Sequence, residues 1–480
     1  MEIKDPIERL QQIQDHQLRL IQAAHPDIAV TGEDGTDARG EGQPFGILFK
    51  DGQLLVRPDV ADDVVAFIRD RGHRAERAET MPLLAGPGGA PGASDQLART
   101  AKDDGLDLDR AQEVAGQLSS LIRLPECEPV RAVPDVCRAV RAEFGADEDG
   151  FPAISPRHVF YMTPTRILCP ATEPEVVTRA DRVYPHLRDE KAGYGTSVAV
   201  LDTGFIRAAA GHCFWLRGIT DFDPDPLDKF DLDQLIDSPD GYIDPYTGHG
   251  TFIAGIIRRI VPAAEMHVKR LDIDLRNVFT SPTYAADIAD EMHIPDHIRR
   301  AAWSGQKVIS LSAGGPTLDD LPPLSFRGVR RVLERHDAVL IASAGNDSTT
   351  DPFWPAAFDW TTGVGALDAA TTGIAGFSNT GINANVFAPG TDIVNAFACG
   401  DYECFQPPDV GTIRHFHGLA KWSGTSFATP IVAGLVAARM AAQNETAPAA
   451  VAALLAIAAA SHDLPGVGPT LVPEYTDLGI

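Results

Sequence analysis

A chain of 480 residues, 44% of them hydrophobic, exceeds one ordinary domain and calls for a large core-forming unit plus a smaller one. Its formal net charge of −26 argues against nucleic acid and membrane as partners and favours solubility. Six cysteines (Cys127, Cys137, Cys169, Cys213, Cys399, Cys404) are sparse for this length, and no pair has the spacing of a zinc knuckle.

The N-terminus, MEIKDPIERLQQIQDHQLRL, carries charges every few positions and does not read as a secretory signal. A cytoplasmic setting with reduced, buried thiols is therefore expected; in an oxidising compartment Cys399 and Cys404 could close a short loop. Ile7, Leu10, Ile13, Leu18 and Ile21 predict an amphipathic helix over residues 6–24. Ile47 to Phe49 and Leu54 to Val56 flank Asp51-Gly52 and predict a tight hairpin. Val60, Val64 and Ile68 mark a helix stopped by Gly72. The breaker-rich run from Gly86 to Gly92 reads as a mobile linker. A helix is expected across Asp109 to Arg123 and a strand across His158 to Thr163. These readings divide the chain into an α+β N-terminal region (1–85), a linker (86–95), a helical and extended connecting region (96–185) and a main domain (186–480).

From about residue 195 short aliphatic runs alternate with longer helical stretches, as in a parallel sheet covered by helices. The runs are Ser197 to Leu201, Met266 to Val268, Val308 to Leu311, Val339 to Ala342, Gly363 to Ala366 and Val386 to Ala388. Ala285 to Trp303 and Phe326 to His336 read as crossover helices. The Ala-rich run from Ala447 to Ala460 falls short of the roughly 20 residues that span a bilayer and reads as a packed helix. In such folds chemistry gathers at the carboxyl ends of the strands.

Three residues with chemical potential fall at such places. Ser426, in GTSFATP, starts a helix, where unsatisfied N–H groups and the helix dipole stabilise negative charge on a neighbouring oxygen. His249, in GHGTFIAG, lies where a loop enters an apolar helix between glycines that clear room for an imidazole; an unperturbed imidazole titrates near pH ~6.5 and can take a serine proton when neutral. Asp202 ends the strand VAVL and begins DTG, where a carboxylate can hold an imidazole in one tautomer. Taken singly, these are an ordinary helix cap, a packed histidine and a solvated aspartate.

Together, in the order Asp, His, Ser, they form a triad pattern, and the chain resembles the subtilisin-like serine peptidases. The matching segments VAVLDTG, GHGTFIAG, SLSAGG, ASAGN and GTSFATP occur in order and cover roughly residues 190–460. The resemblance implies a three-layer α/β fold, a mostly parallel sheet between helices, preceded here by the smaller α+β region. It implies peptide-bond hydrolysis through Asp202, His249 and Ser426 with no cofactor required for the chemistry. It adds Asn346, whose side-chain amide would join the Ser426 N–H in an oxyanion hole. Ser312, Ala313 and Gly314, with Ser343, Ala344 and Gly345, would bind a polypeptide substrate along a strand edge, Gly314 leaving room for the side chain before the scissile bond.

Two segments depart from the family's compact pattern: the acidic stretch from Asp221 to Asp244, with nine Asp and one Lys, and a long segment from Val394 to Ala420. Neither is expected to touch the triad. The acidic stretch offers hard oxygen ligands for a structural calcium ion, against a simpler reading as a solvated loop. The region preceding the resemblance is expected either to dock on the main domain as an inhibitor or folding aid, as the family's prodomains do, or to be an accessory domain. Two other functions fit parts of the pattern. Asp-Thr-Gly also opens aspartic peptidase sites, which need a second such motif, and a catalytically silent relative would bind peptides without needing all four residues.

Overall fold

The computed structural model describes residues 28–30, 47–77, 119–124, 132–161, 171–186, 188–220, 242–243, 247–271, 288–404, 408–460, 464, 466–474 and 478. The helix expected over residues 6–24, the Gly/Pro linker and, Tyr242 and Ile243 aside, the acidic stretch lie outside them.

The N-terminal strands β1 (Ile28–Val30), β2 (Leu48–Val56), β3 (Glu76–Arg77), β4 (Ser120–Arg123) and β5 (Ile154–Tyr161) make an antiparallel sheet ordered β3-β4-β2-β5, with β1 also on β2. The sheet thus draws strands from both sides of the linker. Helices α1 (Ala61–Asp70) and α2 (Ala132–Phe144) cover one face. The period-2 alternation of side chains explains the rest: Leu54 and Ile122 point to these helices, whereas Leu55 and Leu121 point to the main domain. Two expectations change here. Ile47 to Val56 is not a hairpin but one strand with a bulge between Phe49 and Leu54, where Gly52 takes φ +63°. Ser120 to Arg123, placed in a helix by the sequence, is a strand because Leu121 and Ile122 are buried on opposite faces; most of that expected helix lies outside the described residues.

The main domain continues through β6 (Glu175–Val176), β7 (Ser197–Asp202), α3 (His249–Ile260), β8 (Glu265–Arg270), β9 (Ile288–Asp290), α4 (His293–Trp303) and β10 (Val308–Leu311). Then follow α5 (Val329–Arg335), β11 (Val339–Ser343), β12 (Thr362–Leu367), β13 (Val386–Pro389), β14 (Ile393–Glu403), β15 (Ile413–Trp422), α6 (Thr425–Gln443) and α7 (Ala447–Ala460). All six predicted runs become strands of one parallel sheet ordered β13-β12-β11-β10-β7-β8. Val198, Val200, Val308 and Ile341 pack against α3 and α6, while Ala199, Leu201, Ile309 and Leu340 pack against α4 and α5. This is the expected three-layer α/β fold.

The first predicted crossover helix starts late. Ile288 to Asp290 within it form β9, which pairs antiparallel with β5 of the N-terminal sheet, and helix begins only at His293. The segment from Val394 to Ala420 lies mostly in the β14–β15 hairpin, whose free edge binds β6. Cys399 is exposed and Cys404 buried there, both as free thiols. Helix α6 is long and apolar enough to cross a membrane by length and composition, yet most of it is buried in this fold.

Strand order sets the position of the site. From β7 the chain passes through α3 to β8 on one side, then returns to β10 on the other, so a crevice opens at the carboxyl ends of β7 and β10. Leu201, Leu311 and Ala342 share one row of the register. Asp202, Ser312 and Ser343 therefore lie one residue past that row, at the same level of the sheet.

Candidate active site

Asp202 is wholly buried at the end of β7. Its Oδ1 lies 2.7 Å from His249 Nδ1 and accepts the Thr203 N–H at 2.8 Å. A carboxylate accepts but does not donate, so Nδ1 carries a proton, and in the neutral ring Nε2 keeps its lone pair. Among the described residues Nε2 has no hydrogen-bond partner. The partners of Asp202 are an imidazole and a backbone amide, and no second carboxylate hydrogen-bonds to it among the described residues.

The two motifs around this pair are stitched together. Thr203 Oγ1 accepts the Gly250 N–H at 3.0 Å, and Thr251 Oγ1 accepts the Ile206 N–H at 2.8 Å. A side chain on Gly250 would collide with the carbonyl of Gly204, and Gly248 precedes the helix at φ +91°. The glycines flanking His249 thus permit a tight backbone approach and a left-handed entry to α3. The ring of His249 meets Trp422 edge-on, with centroids 5.7 Å apart, and Phe427 at 5.4 Å. Phe397 packs on Gly248 and Trp422. From the Val394 to Ala420 segment Phe397 comes as near as Gly248, beside His249, and Trp422, two residues beyond that segment, meets the His249 ring itself.

Ser426 is the second residue of α6 and is buried. Pro430 sits four residues later and has no N–H, so the helix cannot satisfy the Ser426 carbonyl. Ser312 Oγ donates to that carbonyl instead, at 3.1 Å. Ser312 thereby ties the end of β10 to the start of α6. Asn346, also buried, follows β11. Its Oδ1 accepts both the N–H and the hydroxyl of Thr425, each at 2.9 Å, so the amide is held with its oxygen toward Thr425. Thr425 and Pro430 stand in the same motif as Ser426, and its residue pattern alone assigns them no role. Their roles depend on hydrogen bonds that only the fold supplies.

Ser312 to Gly314 and Ser343 to Gly345 leave neighbouring strands β10 and β11. Asn379 Nδ2 donates to the Ala344 carbonyl at 2.9 Å, and Gly345 takes φ +96°. The space beside Gly314 is not open, because the Trp354 carbonyl and the ring of Phe353 lie there. On the N-terminal side, β5 runs along β9 with Phe160 opposite Ala289. Buried His158 holds the two units together: Nδ1 lies 2.6 Å from Glu291 Oε2, and Nε2 accepts the Leu318 N–H at 3.1 Å. Arg138 and Arg141 both pair with Asp319 across the same junction. Phe160 packs on Phe326 and lies so close to Gly315 that a side chain there would meet its ring at 2.9 Å.

Among the described residues no group of three or more His, Cys, Asp or Glu side chains could hold a metal ion. Arg299, wholly buried, is lowered to about 10 by desolvation and donates to the carbonyls of Ser325 and Arg327; it braces α4 away from the crevice.

Known proteins agree with this architecture. The chain is 31% identical over 247 residues to a thermophilic serine proteinase of Bacillus sp. (strain AK1), covering 52% of each chain. It is 29% identical over 266 residues to an intracellular serine protease of Paenibacillus polymyxa, covering 53% of this chain and 69% of that one. It therefore spans about half the length of the Bacillus relative. The crystal structure of fervidolysin from Fervidobacterium pennivorans, a keratinolytic enzyme related to subtilisin, has a similar fold, with a TM-score of 0.53 and 18% identity over 90% of this chain and 61% of that one. Residues 193–474, more than half of the chain, match the profile of the Subtilase family, and the chain belongs to that family.

Proposed function

We propose that this chain is a serine endopeptidase whose nucleophile is Ser426, general base His249, orienting carboxylate Asp202 and oxyanion donor Asn346. The observation that carries this reading is the buried 2.7 Å contact between Asp202 and His249 Nδ1, which leaves Nε2 able to accept a proton. Ser426 Oγ attacks the scissile carbonyl as its proton passes to Nε2. The imidazolium is stabilised by Asp202 and then protonates the leaving amine. The oxyanion is held by the Ser426 N–H and Asn346 Nδ2, and water releases the acyl-enzyme. Labelling with a fluorophosphonate probe followed by peptide cleavage, on the chain intact and after limited proteolysis of its N-terminal unit, tests the whole reading; a protein unlabelled and inert in both states would instead favour a silent peptide-binding relative. Asn346→Ala should lower kcat about 10²–10³-fold with little change in KM, because the amide acts on charge that exists only in the transition state. Steady-state kinetics on one peptide decides it, and a loss confined to KM would contradict the role.

The N-terminal unit is proposed to dock on the catalytic domain as an inhibitor or folding aid. This docking is supported by β5 lying on β9 as an added strand, with Phe160 against Gly315, directly after Ser312 to Gly314. Residues 186–480 expressed alone should fold poorly or cleave without restraint, and the N-terminal piece added in trans should raise yield or slow cleavage. No change in either would leave it an accessory domain.

The acidic stretch from Asp221 to Asp244 suits calcium chemically, since its nine carboxylates are hard oxygen donors. Chelation should then lower the melting temperature by several degrees, and an unchanged melting curve would remove calcium from the account. A cytoplasmic setting belongs to the same proposal, supported by the likeness to the intracellular Paenibacillus protease.

A further inference from the structure

We propose that Phe353 fills the pocket for the side chain before the scissile bond, so that this enzyme cleaves after glycine, alanine or serine and rejects bulky residues. The proposal rests on the peptidase reading, because it needs Ser426 and Asn346 to fix where the attacked carbonyl lies.

A peptide that pairs with Ser312 to Gly314 and presents its carbonyl to Ser426 must point that side chain between the segments leaving β10 and β11. Their innermost residues are Gly314 and Gly345. In an open pocket, two glycines facing each other would create volume. Here the volume is taken. A Cβ placed on Gly314 would meet the Trp354 carbonyl oxygen and, at 2.5 Å, Phe353 Cε1, and one on Gly345 would meet Asn379 Nδ2 and then Phe353 Cδ2 at 2.9 Å and Cγ at 3.0 Å. One edge of the ring therefore rests on each glycine, and the ring bridges the gap between the two walls.

The ring is also held in place. The Phe353 N–H donates to Oδ1 of buried Asn383 at 2.7 Å, and the next residue, Trp354, exchanges two backbone hydrogen bonds with Gly315, each 2.9 Å. Asn383 Nδ2 in turn donates to the carbonyls of Asp351 and Thr380. A segment fixed from both sides cannot swing away to admit a large side chain without breaking these bonds. Phe353 is 4% exposed, so a little of it still faces outward as the floor of a shallow recess. Crowding of this kind discriminates strongly, since each excess methylene displaces packed atoms and not water.

The test uses the full chain and a set of peptides differing only in the residue before the scissile bond, with fluorophosphonate labelling run in parallel. The wild type should show kcat/KM at least about 100-fold higher for alanine than for phenylalanine or leucine at that position. Phe353→Ala should raise kcat/KM for the bulky peptides about 10–100-fold while leaving the alanine peptide much less affected. Phe353→Leu, which keeps most of the packing, covers the case in which the alanine variant does not fold and should give a smaller shift in the same direction. A labelled wild type that cleaves after phenylalanine as readily as after alanine overturns the pocket proposal alone, as does a labelled variant with an unchanged profile. A wild type that is neither labelled nor active, both intact and after limited proteolysis has removed the N-terminal unit, overturns the peptidase reading and this proposal with it.

Discussion

Replacing Ser426 by alanine should abolish fluorophosphonate labelling and lower kcat by about 10⁶-fold, the scale of loss when the subtilisin nucleophile is removed. What remains is attack by water in a site that still binds peptide and still holds an oxyanion, which accounts for a residual advantage over solution of about 10³–10⁴. The fold should survive, for a specific reason. The structural bond at this position runs from Ser312 Oγ to the Ser426 main-chain carbonyl, and alanine keeps that carbonyl. Position 426 is also buried, where alanine adds no volume and suits the first turn of a helix. The melting temperature should therefore stay within about 3 °C of wild type. Cleavage at the wild-type rate would remove Ser426 from the mechanism, whereas loss of activity accompanied by unfolding would leave its chemical role undecided until Ser426→Cys were tested for labelling by thiol-reactive probes.

Much of this site was readable in the sequence because its residues sit at ends of regular elements. Asp202, Ser312 and Ser343 follow aliphatic runs short enough to be strands, and a parallel sheet puts such ends on one side. His249 and Ser426 start helices whose glycines and small residues signal the entry. The hidden parts depend on partners distant in sequence. Nothing near Gly314 reveals that Phe353 will occupy the space its missing side chain leaves. Nothing in the Val394 to Ala420 segment shows that Phe397 will reach the His249 loop, since a hairpin's side chains are assigned to a face by register and not by composition. Local periodicity predicts helix across β9 because the strand that pairs with it, β5, lies more than a hundred residues earlier. Long-range pairing leaves little mark on local periodicity. The Asp51-Gly52 turn failed for the opposite reason: a dipeptide that favours a hairpin also permits a bulge, and β5 on one side with β1 and β4 on the other make the bulged strand the better-paired choice.

Asp202→Asn should lower kcat about 10⁴-fold with KM near the wild-type value, although the two side chains are almost the same shape. Oδ1 of Asp202 accepts from two donors, His249 Nδ1–H and the Thr203 N–H, while Oδ2 is buried without a partner among the described residues. An asparagine can meet this arrangement in two ways, and each is harmful. With its oxygen at the Oδ1 position it keeps both hydrogen bonds and the histidine tautomer, but the negative charge that stabilises the imidazolium is gone. With its NH2 group there, it faces the Thr203 N–H donor to donor and forces Nδ1 to become the acceptor, which places the proton on Nε2 and leaves no base for Ser426. In neither orientation does the substitution touch the peptide-binding strand edge, so the loss should appear in kcat and not in KM. Glutamate at position 202 does not restore activity in this account, because the extra methylene displaces the carboxylate from a fully buried site. The deciding measurement is single-turnover acylation with an activated ester beside steady-state kinetics: a loss smaller than about tenfold would mean that Asp202 is a packing residue and that His249 is oriented by the Trp422 and Phe427 contacts alone.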